Sequence, residues 1–263
     1  MAKGTKALVN YDAEFAKHAE TVAKMEAGAA LGTFFNLRGG QLTFGDAPVP
    51  GNRMAVVVVD HVLENVYYEG KFDPDSPSGP KCFAFGRDEK AMVPHEAAPE
   101  KQAKACSECP QNAWGTADSP SGRGKACRNT RRLALIPAGT LAANGSFTAK
   151  EDPSDFETAG LAYLKLPVTS VKGFAGFVHQ IATALKRPPF GIFTKVSVVP
   201  DAKSQFKVQF EPLEPAPKPL FPVLLKRHEE AAAAIEFPYV QREDDGVGRG
   251  PKKSKKSAKG SRY

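Results

Sequence analysis

Four cysteines carry the clearest chemistry in this chain: Cys82, Cys106, Cys109 and Cys127, spaced C-x23-C-x2-C-x17-C in a sequence of 263 residues. Zinc takes four soft thiolates in a tetrahedron. The two-residue gap between Cys106 and Cys109 lets both sulfurs hold one ion from a tight turn. Cys127 follows at a distance usual for a second-half ligand, and Cys82 stands at the end of a strand-like stretch. Residues 87–131 are poor in apolar side chains and rich in Ala, Gly, Pro and charge. Such a stretch buries no core of its own, and a metal compensates for that deficit. The reading is a structural zinc loop, with four alternatives open. His95 lies in the loop and could replace Cys82. An iron–sulfur cluster also uses four thiolates. A redox CxxC should open a helix after a strand, whereas Cys109-Pro110 leads into Gln-Asn-Ala-Trp-Gly without helical period. Four unrelated thiols are the remaining case.

A catalytic zinc keeps one position open and needs an acid or base beside it. The His-x-Glu of the zinc deaminases is absent, since Glu96 follows His95 directly. The acidic pairs Asp73/Asp75, Glu229/Glu230 and Asp244/Asp245 fall in expected loops, helix surface or tail, and the histidines are scattered. Neither pattern builds a site, so the expectation is a protein that is not an enzyme.

The second constellation is cationic. From Lys101 to Arg132 the chain carries Lys101, Lys104, Arg123, Lys125, Arg128, Arg131 and Arg132 against Glu108 and Asp118. Trp114, the only tryptophan, lies in the same stretch. Cations along a backbone with aromatic platforms for bases are the chemistry of single-strand binding. A lone Trp can equally be the loop's own miniature core, and surface Lys and Arg can be merely solvated. Tyr67 and Tyr68 are adjacent on an expected strand, so they point to opposite faces. One is a candidate stacker and the other belongs to the core. The net charge of the whole chain is +7. Arg249, Lys252, Lys253, Lys255, Lys256, Lys259 and Arg262 supply all of it, so the body is neutral and the end is a basic tail. Such a tail raises nucleic-acid affinity by counterion release, aids solubility or meets an acidic partner.

The elements that must position these residues read as mostly β with flanking helices. Ala13–Ala27 has Tyr11, Phe15, Val22 and Met25 near one helical face. Leu31–Leu37 and Gln41–Phe44 flank the turn Arg38-Gly39-Gly40. Met54–Val59 is a continuous β-branched run, expected to be buried on both faces. Strands are expected at Val62–Glu69, Lys81–Gly86, Leu133–Pro137, Leu161–Leu166, Ile192–Val199 and Gln205–Phe210. Ser170–Lys186 is a helix capped by Ser170 and stopped by Pro188-Pro189. Pro212–Pro222 reads as linker or extended edge, and Val223–Ile235 as a last helix. Strands, an inserted loop, a helix and two closing strands are the order of an OB-fold, a five-stranded Greek-key barrel. The organisation is therefore an N-terminal helix (1–30), an OB-like barrel (31–211) with a zinc loop inserted at 87–131, a Pro-rich linker with the final helix (212–246), and a disordered basic tail (247–263).

Four blocks carry a resemblance: Glu64–Phe72, Lys81–Phe85, Cys106–Gly115 with Gly124–Arg132, and Leu166–Phe177. In their order the chain resembles a group of phage-encoded single-stranded-DNA-binding proteins of DNA replication and recombination, over roughly residues 31–210. The resemblance implies that Cys82, Cys106, Cys109 and Cys127 are zinc ligands. It implies single-stranded DNA as partner, with replication or recombination proteins beside it, and the cytoplasm of an infected bacterium as location. It identifies no catalytic residue. The other class that fits is a protein-interaction module aimed at host or phage replication or transcription machinery, which the neutral body favours. The longest apolar runs, Met54–Val59 and Leu220–Leu225, fall far short of the ~20 residues that span a bilayer. The charged first 28 residues lack the apolar stretch of a secretory signal.

Overall fold

A computed structural model describes residues 34–45, 47–70, 79–118 and 123–239, together with Phe15 and His18. Phe15 and His18 are helical, and the rest of the expected N-terminal helix lies outside the described residues, as do residues 71–78 and the basic tail.

The chain is built on a nine-stranded mixed sheet. Its strands are β1 (Phe34–Arg38), β2 (Gln41–Phe44), β3 (Ala47–Pro48), β4 (Arg53–Tyr67), β5 (Cys82–Gly86) and β6 (Cys127–Pro137), then β9 (Ala162–Leu166), β10 (Ile192–Asp201) and β11 (Gln205–Pro215). A separate hairpin pairs β7 (Gly139–Leu141) with β8 (Phe147–Ala149). The order is β11-β10-β4-β6-β9-β1-β2-β3, with β5 on the β10 side of β4. Only β1 and β9 run parallel. The mostly β reading holds. The sheet, however, has nine strands where a five-stranded barrel was expected, because β1–β3 and β5 extend it. The β1–β2 hairpin curls toward β11, so that a Cβ on Gly40 would lie 3.6 Å from the Phe206 Cβ.

Both faces of the sheet are covered, which explains the unbroken apolar run of β4. Val56 and Val58 face one core with Leu133, Leu135 and Leu164. Val57 and Val59 face the other with Ala134, Ile136 and Phe193. The β4–β6 register shifts between Val58 and Asp60. That bulge flips the side-chain parity, so Val62 and Val66 join Val57 and Val59 on one face. Helix α2 (Val168–Gln180) seals the Val56 face with Phe174 and Phe177. Helix α3 (Phe221–Ala234) seals the Val57 face with Leu224 and Ala231. A short α1 (Pro153–Glu157) is capped by Asp152.

Two local expectations are corrected, and one open choice is decided. Ser170 does not cap α2: Pro167 holds that position, and the buried Ser170 Oγ accepts the Val208 N–H at 2.9 Å. Of the two readings of Pro212–Pro222, linker or extended edge, the edge holds at its start, since β11 pairs Pro215 with Ile192. An edge strand tolerates prolines because their missing donors face no partner. The polar loop ends earlier than expected: β6 starts at Cys127, which puts Arg128, Arg131 and Arg132 on a strand.

Candidate nucleic-acid interface and cysteine cavity

The cysteine site starts from two strand ends. On β4, Tyr67 pairs with Cys82 of β5 on one side and Cys127 of β6 on the other. Cys106 opens a short 3-10 turn, and the Cys109 N–H donates to the Cys106 carbonyl at 3.5 Å. All four cysteines line one cavity of about 10 Å³, with Asn65, Tyr67 and Asn112 among its walls. Burial pushes the Cys127 thiol up to about 12, and Cys109, Cys106 and Cys82 add to the shift. Burial also raises Cys82 and Cys106. The thiols are unbonded to one another. Among the described residues no group of three or more His, Cys, Asp or Glu stands at metal-ligating geometry.

An amide network holds this corner together. Asn129 Nδ2 donates to Asn65 Oδ1 at 2.6 Å and to Asn112 Oδ1 at 3.0 Å. Asn112 Nδ2 donates to the Cys106 carbonyl at 2.8 Å. Lys125, read from sequence as a nucleic-acid contact, donates to Asn112 Oδ1 at 3.2 Å and so serves the loop itself. His95 is removed as a candidate ligand. Its ring stacks on Phe83 at 5.2 Å, and Nδ1 accepts the Ala97 N–H. The donor set fits a metal in kind: four thiols share one cavity with room for a single water-sized atom.

Strand alternation makes β6 two-sided. Cys127, Asn129 and Arg131 project to one face, and Arg128, Thr130 and Arg132 to the other. The second face borders an open groove of about 830 Å³. Tyr68, Arg128, Lys165, Phe34, Phe206 and Tyr239 are among its walls. The exposed Arg128 guanidinium lies 5.5 Å from the Tyr68 ring centre, and the Lys165 ammonium 5.7 Å from it. Lys165 donates to the Tyr239 hydroxyl at 2.6 Å. Burial lowers its pKa, and Glu64 opposes that shift. Pro167, Val168 and Thr169 bring the start of α2 to the same groove. Tyr67 and Tyr68 divide as their adjacency requires: Tyr67 joins the cysteine cavity and Tyr68 the groove.

The expected cationic cluster splits. Arg132 is 1% exposed and belongs to the core, which corrects its assignment as a surface contact. Its Nη2 and Nε donate to Glu64 Oε1 at 2.7 and 3.2 Å, and Nη1 donates to the carbonyls of Ile235 and Phe237. The guanidinium lies between the rings of Phe85 and Phe237 at 4.2 and 4.3 Å. Glu64 accepts a further bond from Tyr239 Oη at 2.7 Å. Burying two charges requires this many partners. Arg131 is half-buried on the cysteine side of β6 and donates to the Thr130 carbonyl. Arg123 is exposed. Trp114 is 75% exposed, which corrects the reading of it as a miniature core.

Lys165 and Phe206 escaped the sequence reading. They sit far from the basic stretch, and only the pairing of β9 with β6 and the approach of β11 to β1–β2 bring them in. The β7–β8 hairpin did have a signal, Asn144-Gly145. No protein-family model, curated protein or solved structure matches this chain.

Proposed function

We propose that this protein binds single-stranded DNA with low sequence specificity, as a non-enzymatic partner in phage DNA replication or recombination. The observation that carries the reading is the groove on β6 and β9, where Arg128 and Lys165 stand beside Tyr68. Cations for the backbone next to an aromatic face for a base are what a sequence-tolerant single-strand site needs.

The connectivity supports the same reading. Strands β4, β6, β9, β10 and β11, with α2 between β9 and β10 and with β10 returning to pair β4, are compatible with an OB-like order, although β9 pairs β1 rather than β11 and the sheet stays open there. OB-folds bind oligonucleotides on their second and third strands, between the first and last connecting loops. In an OB-like reading those strands would correspond to β6 and β9. The connection from β4 to β6 carries Tyr68, Cys106 and Cys109, and the last hairpin leads into Phe206.

In this reading Cys82, Cys106, Cys109 and Cys127 hold a structural zinc ion. When bound, the ion would supply the stability that the polar loop lacks. The buried carboxylates are committed to structure, Asp60 to Arg87 and Glu64 to Arg132, which supports a binding rather than a catalytic role.

Fluorescence anisotropy with oligo-dT tests the reading. Tyr68→Ala and Arg128→Ala should each weaken binding and leave the melting temperature near that of the parent. Unchanged affinity in both would overturn the assignment of the groove.

A further inference from the structure

Lys165 occupies an unusual place for a lysine that meets DNA. It pairs across the sheet with Arg132 of β6, so its side chain shares a face with that buried cation. Its Nζ lies 4.9 Å from the Tyr239 ring centre and 5.7 Å from that of Tyr68. The nearest carboxylate, Glu64, stands 4.0 Å away and is already bonded to Arg132, Tyr239 and Thr130. Lys81 and Lys226 differ: bonds to Glu100 and Glu157 raise their pKa values. At Lys165 burial lowers the pKa, with Arg132 and Arg128 adding to the shift and Glu64 opposing it. A desolvated amine beside other cations is the environment that makes a lysine nucleophilic.

One hydrogen bond orients this amine. Nζ donates to Tyr239 Oη at 2.6 Å, and Oη donates its own proton to Glu64 Oε1 at 2.7 Å. Burial and the Glu64 charge raise the Tyr239 pKa, so the hydroxyl keeps that proton. Tyr239 therefore accepts from Lys165 and offers it no proton, and the lone pair of the neutral amine is left for the groove that Lys165 lines.

We propose that Lys165 captures aldehydes in single-stranded DNA as an imine, its target being the open-chain sugar at a position that has lost its base. The inference rests on the single-strand reading of the groove. That reading seats a base on Tyr68, and Nζ lies beside the same ring, so the sugar carbon that would carry the base comes next to the amine. Where the base is missing, that carbon is an aldehyde. The Nζ lone pair forms a bond to it, and the carbonyl π pair moves to oxygen, which takes up a proton while the nitrogen gives one up. The carbinolamine then loses water and leaves a C=N bond. One amine and one aldehyde give one imine and one water, with no oxidant or reductant taking part. Capture is stoichiometric, so the groove remains a binding site.

The test incubates the full-length protein with oligo-dT carrying a single abasic deoxyribose, or with intact oligo-dT, and reduces any imine with borohydride. A covalent adduct to the abasic strand alone is expected, and peptide mapping should place it on Lys165. Lys165→Arg keeps a cation but has no nucleophilic amine. At concentrations that saturate it with oligonucleotide, it should lose the adduct. Mapping of the parent adduct does not depend on how that variant folds. Intact oligo-dT bound without any trapping of the abasic strand would overturn this inference alone. So would adducts spread over the other lysines, or an adduct retained in Lys165→Arg. A parent protein that fails to bind intact oligo-dT would overturn the single-strand reading and this inference with it.

Discussion

Cys127 and Arg128 are consecutive on β6 and face opposite sides of the sheet: the thiol lines the cysteine cavity, and the guanidinium stands 5.5 Å from the Tyr68 ring in the groove. One strand thus joins the two constellations that were separate in the sequence. Whatever fixes the start of β6 on its cysteine side also fixes the groove on the other. Asn129, bonded to Asn65 and Asn112, holds the start of β6 on the cysteine side.

The groove residues should divide by role. Tyr68→Ala should cost about 1–3 kcal/mol of binding, the value of one stacked base. Arg128→Ala should reduce the slope of log K against log salt by about 0.7, the share of one phosphate contact on a single strand. Titrations at a series of salt concentrations separate the two. An unchanged slope in Arg128→Ala would remove it from the backbone contacts.

Arg132 should behave as a core residue. Replacing it with Ala leaves Glu64, 0% exposed, without its bonded cation and with only the Lys165 ammonium 4.0 Å from Oε2. Breaking a buried pair costs about 3–5 kcal/mol. The Glu64→Leu/Arg132→Met double variant should recover part of that loss, since the pair is removed together and only Lys165, 4.0 Å from Glu64 Oε2, loses a charge partner. Denaturant unfolding of the single and double variants measures this. A single variant as stable as the parent would refute the role.

Metal retention should depend on pH in one direction. The raised thiol pKa values, about 12 for Cys127, mean that the metal-free site holds its protons at neutral pH. Binding must expel them, so affinity rises with pH and falls on acidification. Zinc measured by atomic spectroscopy should be present in the parent, lost on acid dialysis and absent from Cys127→Ser. Loss of the ion should also weaken oligo-dT binding, because β6 carries Arg128. Parent protein purified with zinc present yet containing none would contradict the site.

His61 should add a separate pH term. Its ring meets Phe174 edge-on at 5.1 Å, and burial lowers its pKa from 6.5, with Arg87, Arg131 and His228 adding to the effect and Asp60 opposing it. The folded state therefore binds this proton less readily than the unfolded state. Its contribution to stability is complete above pH 6.5 and declines as the pH falls below that value. His61→Phe should lose less melting temperature than the parent between the two sides of pH 6.5. An equal loss in both would contradict the shift.

Much of the scaffold was legible because it is local. The β1–β2 turn at Gly39 and Gly40, the two-faced run of β4 and the apolar stripe of α2 follow from periodicity and turn chemistry. The split between Tyr67 and Tyr68 follows from strand alternation alone. What was not legible depends on distant pairing. Arg132 looks like its surface neighbours in sequence, and only Glu64, 68 positions away, and the segment from Ile235 to Tyr239 make it a core residue. Lys165 and Phe206 enter the groove through strand order, which no local pattern encodes. The boundary of the polar loop was misplaced because Cys127–Arg132 alternates polar side chains, and its strand character comes from pairing with β4.

The most direct test is a titration of fluorescent oligo-dT at low and high salt with three proteins: the full chain, a chain ending at Gly246, and the Tyr68→Ala/Arg128→Ala double variant. The account predicts salt-sensitive binding that survives removal of the tail and falls sharply in the double variant. Binding that disappears with residues 247–263 and ignores the double substitution would contradict it, and the folded body would then be read as a protein-interaction module.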